Sequence, residues 1–314
     1  MVKATPQLHC SFKALLWAIN RSELASSRLS TAQFAALLLT PLTPVSESPQ
    51  RQRSQEAVPS KTLMVKGLLK FGGLGLIARA LHKYPDYFPA PVRAFMYGMG
   101  LYMLLSSIMD GPGALFSQTL GIRVSPHFSS PWLSTSVRSF WNQRWDLAAG
   151  NVLRQLIYEP VVEGRLVLRT GVTDVRRSHP TKAPSGPPTR QLVGSFCTFL
   201  TSGLIHEGIF WYLRGHTSGG MWLTFFLAQV PIIVLEKIVS KVYKRYTTSS
   251  SSKHQSNLAL RLILTLWTVG FESYCSAIFF WKPAERAKLV RQLLDNVEVT
   301  YTAALQKIYQ YYHR

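Results

Sequence analysis

Acidic residues are scarce in this chain. Of its 314 residues only 15 are Asp or Glu, against 35 Lys or Arg, which gives a formal net charge of +20. Such a balance often indicates nucleic acid, but the chain has no basic helix, no finger spacing and no RNA-binding signature. We therefore expect no nucleic-acid partner. Because the basic residues lie in loops beside apolar runs, a cytoplasmic topology and anionic lipid headgroups explain them more simply.

Cysteine is also rare. The chain has 3 cysteines, Cys10, Cys197 and Cys275, and they share neither a pairing pattern nor a metal-ligand spacing. We expect no metal site, and we interpret Cys197 and Cys275, which lie in apolar runs, as small packing residues. The first residues also lack the basic, apolar and small-residue sequence of a cleavable signal peptide.

Apolar runs are what the chain has instead, and they alternate with basic loops rich in proline and serine. A helix of about 20 apolar residues is long enough to cross a bilayer. We therefore predict an all-α, multi-pass transmembrane protein with amphipathic interfacial helices. The predicted spanning segments are residues 92–109, 191–213, 221–239 and 258–281.

Other segments are less apolar. Residues 64–81 are glycine-rich and basic, so they either cross the membrane or lie at its interface. The Asp-Gly-Pro-Gly sequence at 110–113 is expected to end the helix before it. Residues 128–158 carry too many charges to cross and should lie at the membrane surface. Loops are expected at 45–61, 161–190 and 241–261.

These segments suggest three regions. We assign residues 1–61 to an N-terminal segment with a polar linker, 62–281 to a membrane-embedded domain, and 282–314 to an exposed, basic, amphipathic tail. The basic loops before residue 191 and after residue 239 should both be cytoplasmic. One further crossing then leaves the basic tail in the lumen, against the same rule. A re-entrant segment or an additional crossing would repair this.

One pair of ionisable residues lies deep inside an apolar run. His206 and Glu207 are the only such groups in residues 191–213, and a charge there costs at least roughly 2.5 kcal/mol on insertion scales. Neutral imidazole is a natural base for an alcohol proton. Glu207 points about 100° away around the helix, so it is not expected to orient His206. Alternatively, His206 bonds a neighbouring helix and Glu207 pairs with a buried arginine.

Two further features could carry chemistry. In residues 139–146, Trp141 and Trp145 flank Arg144. The spacing favours an interfacial aromatic belt with a snorkelling arginine over a phosphate clamp. Glu272 lies in the middle of the last apolar run, and we expect it to be structural or lipid-accessible. It could pair with Arg261 or Lys282 only if the helix shifts.

Three motifs occur together in the chain, and their combination is more specific than any one of them. They are Phe-Trp-Asn-Gln-Arg-Trp-Asp at 140–146, Leu153-Arg154 followed by Tyr158-Glu159-Pro160, and Phe-Leu-Thr-Ser-Gly-Leu-Ile-His-Glu at 199–207. In this order they resemble the plant-type wax synthase family of the membrane-bound O-acyltransferases.

That resemblance implies transfer of a fatty acyl group from acyl-CoA to a long-chain alcohol in the endoplasmic reticulum membrane. His206 would be the catalytic base, and the alcohol would attack the thioester without an acyl-enzyme. No cofactor is implied beyond acyl-CoA as co-substrate, and the partners would be both substrates and membrane lipids. Glu207, Ser202 and Gly203 would support the site. The residues implied to border the acyl-CoA entrance are Phe140, Trp141, Arg144, Trp145, Asp146, Arg154 and Tyr158.

The chain also departs from the family pattern. Asp146 occupies a position that is often asparagine, and members commonly have further membrane helices before the equivalent of Phe12. Sterol or diacylglycerol acylation is therefore an alternative, as is a truncated, non-catalytic protein that binds lipids. A transporter with His206 and Glu207 as a proton relay is disfavoured, because the chain lacks repeats and paired discontinuous helices.

Overall fold

The computed structural model describes residues 4–22, 24, 29–40, 42–44, 60–84, 86–122, 124–167, 186–247 and 258–312. In these ranges the chain is built of helices, which confirms the all-α prediction, and a single bridge between Pro44 and Val124 is the only β-type pairing. The predicted loop at 45–61 lies almost wholly outside the described residues. The loops at 161–190 and 241–261 are described only at their ends.

Four of the described helices are long and apolar enough to cross a membrane, as predicted. After two N-terminal helices, α1 (Ala4–Ala18) and α2 (Thr31–Leu39), and α3 (Ser60–Lys83), the first is α4 (Ala90–Thr119). The other three are α8 (Pro188–Arg214), α9 (Met221–Thr247) and α10 (Leu258–Ser276), the last continuing through a π-turn at Ala277–Trp281 into α11 (Lys282–Arg286).

The predicted end of the first span at residues 110–113 is wrong. Helix α4 continues through Pro112 to Thr119. In a membrane, backbone groups are best satisfied within a helix, and proline is tolerated where neighbours compensate. Here Asp110 accepts a bond from Lys70 Nζ at 2.5 Å, so α3 neutralises the acid that suggested a loop. A Cβ at Gly113 would lie 3.8 Å from Leu42 Cδ2, which shows how closely the N-terminal region packs on this helix.

The surface segment predicted at 128–158 is a row of short helical turns. Two of the turns, those that begin at Pro131 and Leu147, follow a non-glycine residue with positive φ: Ser130 at 47° and Asp146 at 36°. The turns are a 3-10 turn (Pro131–Leu133), α5 (Val137–Ser139), a π-turn (Phe140–Arg144), α6 (Leu147–Leu153), a π-turn (Arg154–Tyr158) and α7 (Glu159–Glu163).

The C-terminal tail is helical, as predicted, but one side of it is packed. Helix α12 (Leu289–Tyr312) lies along α3. The ring of Tyr301 contacts Phe71 at 6.2 Å between centroids and fills the space beside Gly75, where a Cβ would come within 2.5 Å of it. Only the opposite side, with Val299 and Tyr309, is exposed.

Two buried cations, Lys13 and Arg21, organise the N-terminal region. Lys13 Nζ donates to the carbonyls of Leu37, Thr40 and Leu42, which satisfies the C-terminal end of α2. The Arg21 guanidinium contacts the carboxylates of Glu159 and Glu163 at 3.4 and 3.1 Å. Arg21 thereby ties the N-terminal region to the last helix of the surface row.

Candidate active site

A large cavity lies between the row of short turns and helices α4, α8, α9 and α10. Its volume is about 1100 Å³. His206 lines it, together with Gln191, about four helical turns earlier on α8. Fifteen residues of α-helix separate the levels of these two residues by roughly 22 Å. The cavity is therefore a passage along the spans rather than a local pocket.

The His206 ring is held in one orientation by its surroundings. Its centroid lies 4.3 Å from Phe226 and 6.1 Å from both Trp222 and Phe280. Nδ1 lies 2.7 Å from the carbonyl oxygen of Ser202. A carbonyl can only accept, so Nδ1 carries the proton and Nε2 keeps its lone pair in the neutral ring. This is the tautomer that a base at Nε2 requires.

The two residues beside His206 that the resemblance selected have different surroundings. Ser202 lines the cavity one turn before His206 and supplies the carbonyl that orients the ring. Gly203 is buried against α9, where a Cβ would lie 2.6 Å from Leu223 Cδ1 and 3.0 Å from its Cα. Gly203 therefore allows α8 and α9 to approach each other at the level of the histidine.

Glu207 is buried outside the cavity and does not contact His206. Its carboxylate accepts from the backbone N–H of Ser218 at 2.9 Å, from the Ser218 hydroxyl, and from the N–H of Leu223 at 3.2 Å. No arginine pairs with it among the residues that the structure describes. Glu207 instead satisfies one N–H group in the first turn of α9, that of Leu223, and fixes the turn between α8 and α9.

The first of the three motifs, residues 140–146, is called the aromatic box here. It begins in the π-turn, and its three rings line the cavity. Phe140 stacks on Trp145 at 5.5 Å, with an angle of 16° between the ring planes. Trp141 contacts Phe226 at 5.7 Å, and Phe226 is the ring that lies against His206. Phe140, Trp141 and Trp145 all line the cavity, so the structure brings the box and the histidine to one site.

Of the two expectations for Glu272, structural or lipid-accessible, the structure agrees with the first. Glu272 is not lipid-accessible: it is buried, lines the cavity, and accepts a hydrogen bond from Trp141 Nε1 at 3.1 Å. A second glutamate, Glu236 of α9, accepts from the backbone N–H groups of Val137 and Arg138 at 2.7 and 3.2 Å. One span therefore holds Trp141 of the box through a carboxylate, and another holds the short helix α5 just before it. The sequence predicted neither contact.

Arg144 does not line the cavity. Its Nη1 donates to the carbonyls of Ser129 and Ser130, at 2.9 and 3.1 Å, and so closes the segment before the box. Four basic residues do line the cavity: Arg138 and Arg154 in the surface row, and Lys237 and Lys241 toward the C-terminal end of α9. Sequence analysis named only Arg154 of these. The signal for Lys237 and Lys241 was their position at the basic end of a span.

The remaining three residues suggested by the resemblance, Asp146, Arg154 and Tyr158, line the cavity. Asp146 caps α6 by accepting from the N–H of Ala149 at 3.2 Å. Burial raises the pKa of the Asp146 carboxyl, while that bond and His127 oppose the rise. Tyr158 packs beneath Gly194, where a Cβ would lie 3.0 Å from its ring, and burial raises the pKa of its phenol. Arg154 pairs with Glu159 at 3.2 Å.

Comparison with known proteins agrees with this geometry. A model of the membrane bound O-acyl transferase family matches residues 124–228, which contain both the aromatic box and His206. The chain is 26% identical over 286 residues to the Arabidopsis thaliana protein named probable long-chain-alcohol O-fatty-acyltransferase 8, covering 90% of this chain and 73% of the relative. It is 27% identical over 261 residues to acyl-CoA–sterol O-acyltransferase 1 from the same plant, covering 82% of this chain and 70% of the relative.

A third relative is more similar over a shorter stretch. Probable long-chain-alcohol O-fatty-acyltransferase 7 of Arabidopsis thaliana is 32% identical over 132 residues, which cover 42% of this chain and 34% of that protein. The matched segment and the relatives aligned over most of the chain make this chain similar to the membrane bound O-acyl transferase family.

Proposed function

We propose that this protein transfers a fatty acyl group from acyl-CoA to a long-chain alcohol, forming a wax ester and free CoA. The observation that carries the proposal is His206, with its Nδ1 proton held by the Ser202 carbonyl and its Nε2 lone pair free to act within the cavity. The names of the relatives support this activity: several are called long-chain-alcohol O-fatty-acyltransferases.

The reaction follows from that geometry. Nε2 of His206 accepts the proton of the alcohol hydroxyl as the alcohol oxygen attacks the thioester carbonyl. The C–S bond then breaks, the ester C–O bond is complete, and the CoA thiolate recovers the proton from His206. No acyl-enzyme, metal or further cofactor enters this scheme. The apolar walls would hold the two lipid tails. The phosphates of CoA would be attracted to the basic mouth of the cavity, which is the part lined by Arg138, Arg154, Lys237 and Lys241.

The location follows from the same features. The similarity to that family and the four apolar helices support an integral membrane protein. We propose the endoplasmic reticulum, with the basic ends of α8 and α9 in the cytoplasm where acyl-CoA is supplied.

Sterol is the second candidate acceptor. The similarity to a protein named acyl-CoA–sterol O-acyltransferase 1 favours it, and the same chemistry at His206 would apply, since a sterol also presents a single hydroxyl. Only the shape of the acceptor differs.

The test is expression in a yeast strain that makes no neutral lipid, with fatty alcohol or sterol supplied. We expect wax ester from the alcohol, and its loss by at least about 100-fold in His206→Ala, because general base catalysis contributes about that much. His216→Ala is the matched control: His216 is exposed in the turn after α8. A purified chain that binds acyl-CoA but forms no ester with either acceptor would instead support a non-catalytic lipid-binding protein.

A further inference from the structure

The wall of the cavity contains one carboxyl group whose hydrogen-bonding capacity is only partly used. Oε1 of Glu272 accepts from Trp141 Nε1 at 3.1 Å. Within the described residues Oε2 has no hydrogen-bond partner, and the atom keeps some accessible surface. Its remaining surface therefore faces the cavity that Glu272 lines. A carboxyl in such apolar surroundings costs free energy unless a ligand or water bonds it.

The neighbouring polar groups on the same wall do not share this property. Ser273 and Ser276 also line the cavity, but each hydroxyl donates to a carbonyl of its own helix, at 2.7 and 3.2 Å. Glu272 is therefore the group on the α10 wall that remains able to bond a ligand.

The position of Glu272 along the passage indicates which part of a substrate it meets. Phe280 lies eight residues after Glu272, in the π-turn that continues α10, and its ring centroid is 6.1 Å from that of His206. Eight residues of helix correspond to roughly 12 Å. Glu272 thus lies between the level of His206 and the end of the cavity that Lys237 and Lys241 line.

We infer that Glu272 binds an amide group of the pantetheine arm of the acyl donor. The inference rests on the proposed function, which puts the thioester at His206 and the CoA phosphates at the basic mouth. The arm must then cross the level of Glu272. From standard bond lengths, its two amide nitrogens follow the sulphur by roughly 4 and 9 Å. An amide presents both an N–H and a carbonyl, so it pairs with this carboxyl whether or not the carboxyl is protonated.

The rest of the bound substrates offers no equivalent partner at this level. A fatty acyl chain and a long-chain alcohol are hydrocarbon apart from their reacting ends, and those ends belong at His206. The hydrogen bond from Trp141 holds the carboxyl against the wall, so the second oxygen is presented to the passage with little freedom left to lose. Such preorganisation favours recognition of a donor with amides over one without them.

Binding to the purified full chain in lipid nanodiscs tests this directly, with two unreactive thioether probes. One is S-hexadecyl-pantetheine, which has both amides and no phosphate. The other is a hexadecyl thioether of the same length in which methylene and ether groups replace the amides. In Glu272→Leu we expect affinity for the first probe to fall about ten-fold and affinity for the second to change less than two-fold, since one bond to a charged group is lost.

Matched variants keep the result interpretable. Ser273→Ala, on the same wall, should leave both affinities unchanged. Glu272→Gln keeps the shape and one acceptor, and should weaken the amide probe about three-fold; it serves if the leucine variant does not fold. An equal loss for both probes, or no loss for the amide probe, would overturn the inference.

The outcome is independent of turnover. If the wild-type chain forms no ester but Glu272→Leu still weakens binding of the amide probe alone, the proposed function fails and the amide site stands. If ester forms normally and the probes bind every variant alike, the proposed function stands and Glu272 serves only to hold Trp141.

Discussion

Glu207 and Glu272 are both buried glutamates in spanning helices, but they have different surroundings. Glu207 follows the histidine directly, yet all its contacts lead away from the cavity to Ser218 and Leu223. Glu272 lies 66 residues after His206 in the sequence, yet it lines the same cavity and holds Trp141. Proximity in the sequence therefore does not identify the carboxylate that shares a cavity with the histidine.

The reason is helical geometry. Adjacent residues on a helix point about 100° apart, so a cavity on the His206 face cannot also receive Glu207. The Glu207 side instead meets the first turn of α9, whose N–H groups need an acceptor. The comparison predicts that substitutions around Glu207 act on folding and those around Glu272 act on ligand binding.

Glu207→Ala should have the largest effect on stability. It removes a buried acceptor shared by three donors, two of them backbone N–H groups. We expect a loss of about 3 kcal/mol in the free energy of unfolding, measured by unfolding in mild detergent. Glu272→Ala should lose less than half as much. Similar losses for the two variants would remove the distinction between them.

Two glycines of α8 differ in a similar way, because Gly203 packs against α9 and Gly208 has open space beside it. In Gly203→Ala the new methyl group would meet Leu223 within 3.0 Å, so α8 and α9 must separate at the level of His206. We expect a loss of about 2 kcal/mol in unfolding free energy, which is typical of overpacking. Gly208→Ala is the matched control, because nothing lies within 4 Å of a Cβ there. Unfolding measured on both variants should show a loss only for Gly203→Ala.

The spans and the two motifs of the candidate site could be predicted from the sequence because each depends on local composition. Apolar length alone located all four spans, and helix geometry alone separated His206 from Glu207. The contacts that build the site could not be predicted this way. Trp141 and Glu272 are 131 positions apart, and only the packing of the surface row on α10 brings them together.

The continuation of α4 through Pro112 and the contacts of Arg144 were both missed for the same reason: each depends on neighbours that only the folded chain supplies. Pro112 and Asp110 are loop signals in water, but a membrane helix retains them when a neighbour such as Lys70 satisfies the acid. Arg144 next to two tryptophans suggested either a belt or a phosphate clamp. It instead satisfies two carbonyls of a sharp turn before the box, a need that arises only once the chain has folded.

Trp141→Phe tests the cavity side of the comparison with a smaller change. It keeps the ring packing on Phe226 but removes the N–H that Glu272 accepts. We expect a loss of about 1 kcal/mol in unfolding free energy, with weaker binding of the amide-bearing probe, because the carboxyl is no longer held in place. Trp211→Phe, at an exposed position of α8, should change neither quantity. Equal effects of the two substitutions would contradict a specific bond.

The smallest expected effect concerns two arginines of the surface row. Arg138 lines the cavity, whereas Arg144 donates to the carbonyls of Ser129 and Ser130 and does not line it. Arg138→Gln should raise the KM for acyl-CoA about three-fold at low salt, because an exposed charge contributes up to about 1 kcal/mol. The difference should vanish at about 1 M salt, where charges are screened within about 3 Å. Arg144→Gln should leave the KM unchanged and lower the unfolding temperature. A salt-sensitive rise in KM for Arg144→Gln would make Arg144 a contact of the acyl donor, and would extend the binding role beyond the residues that face the cavity.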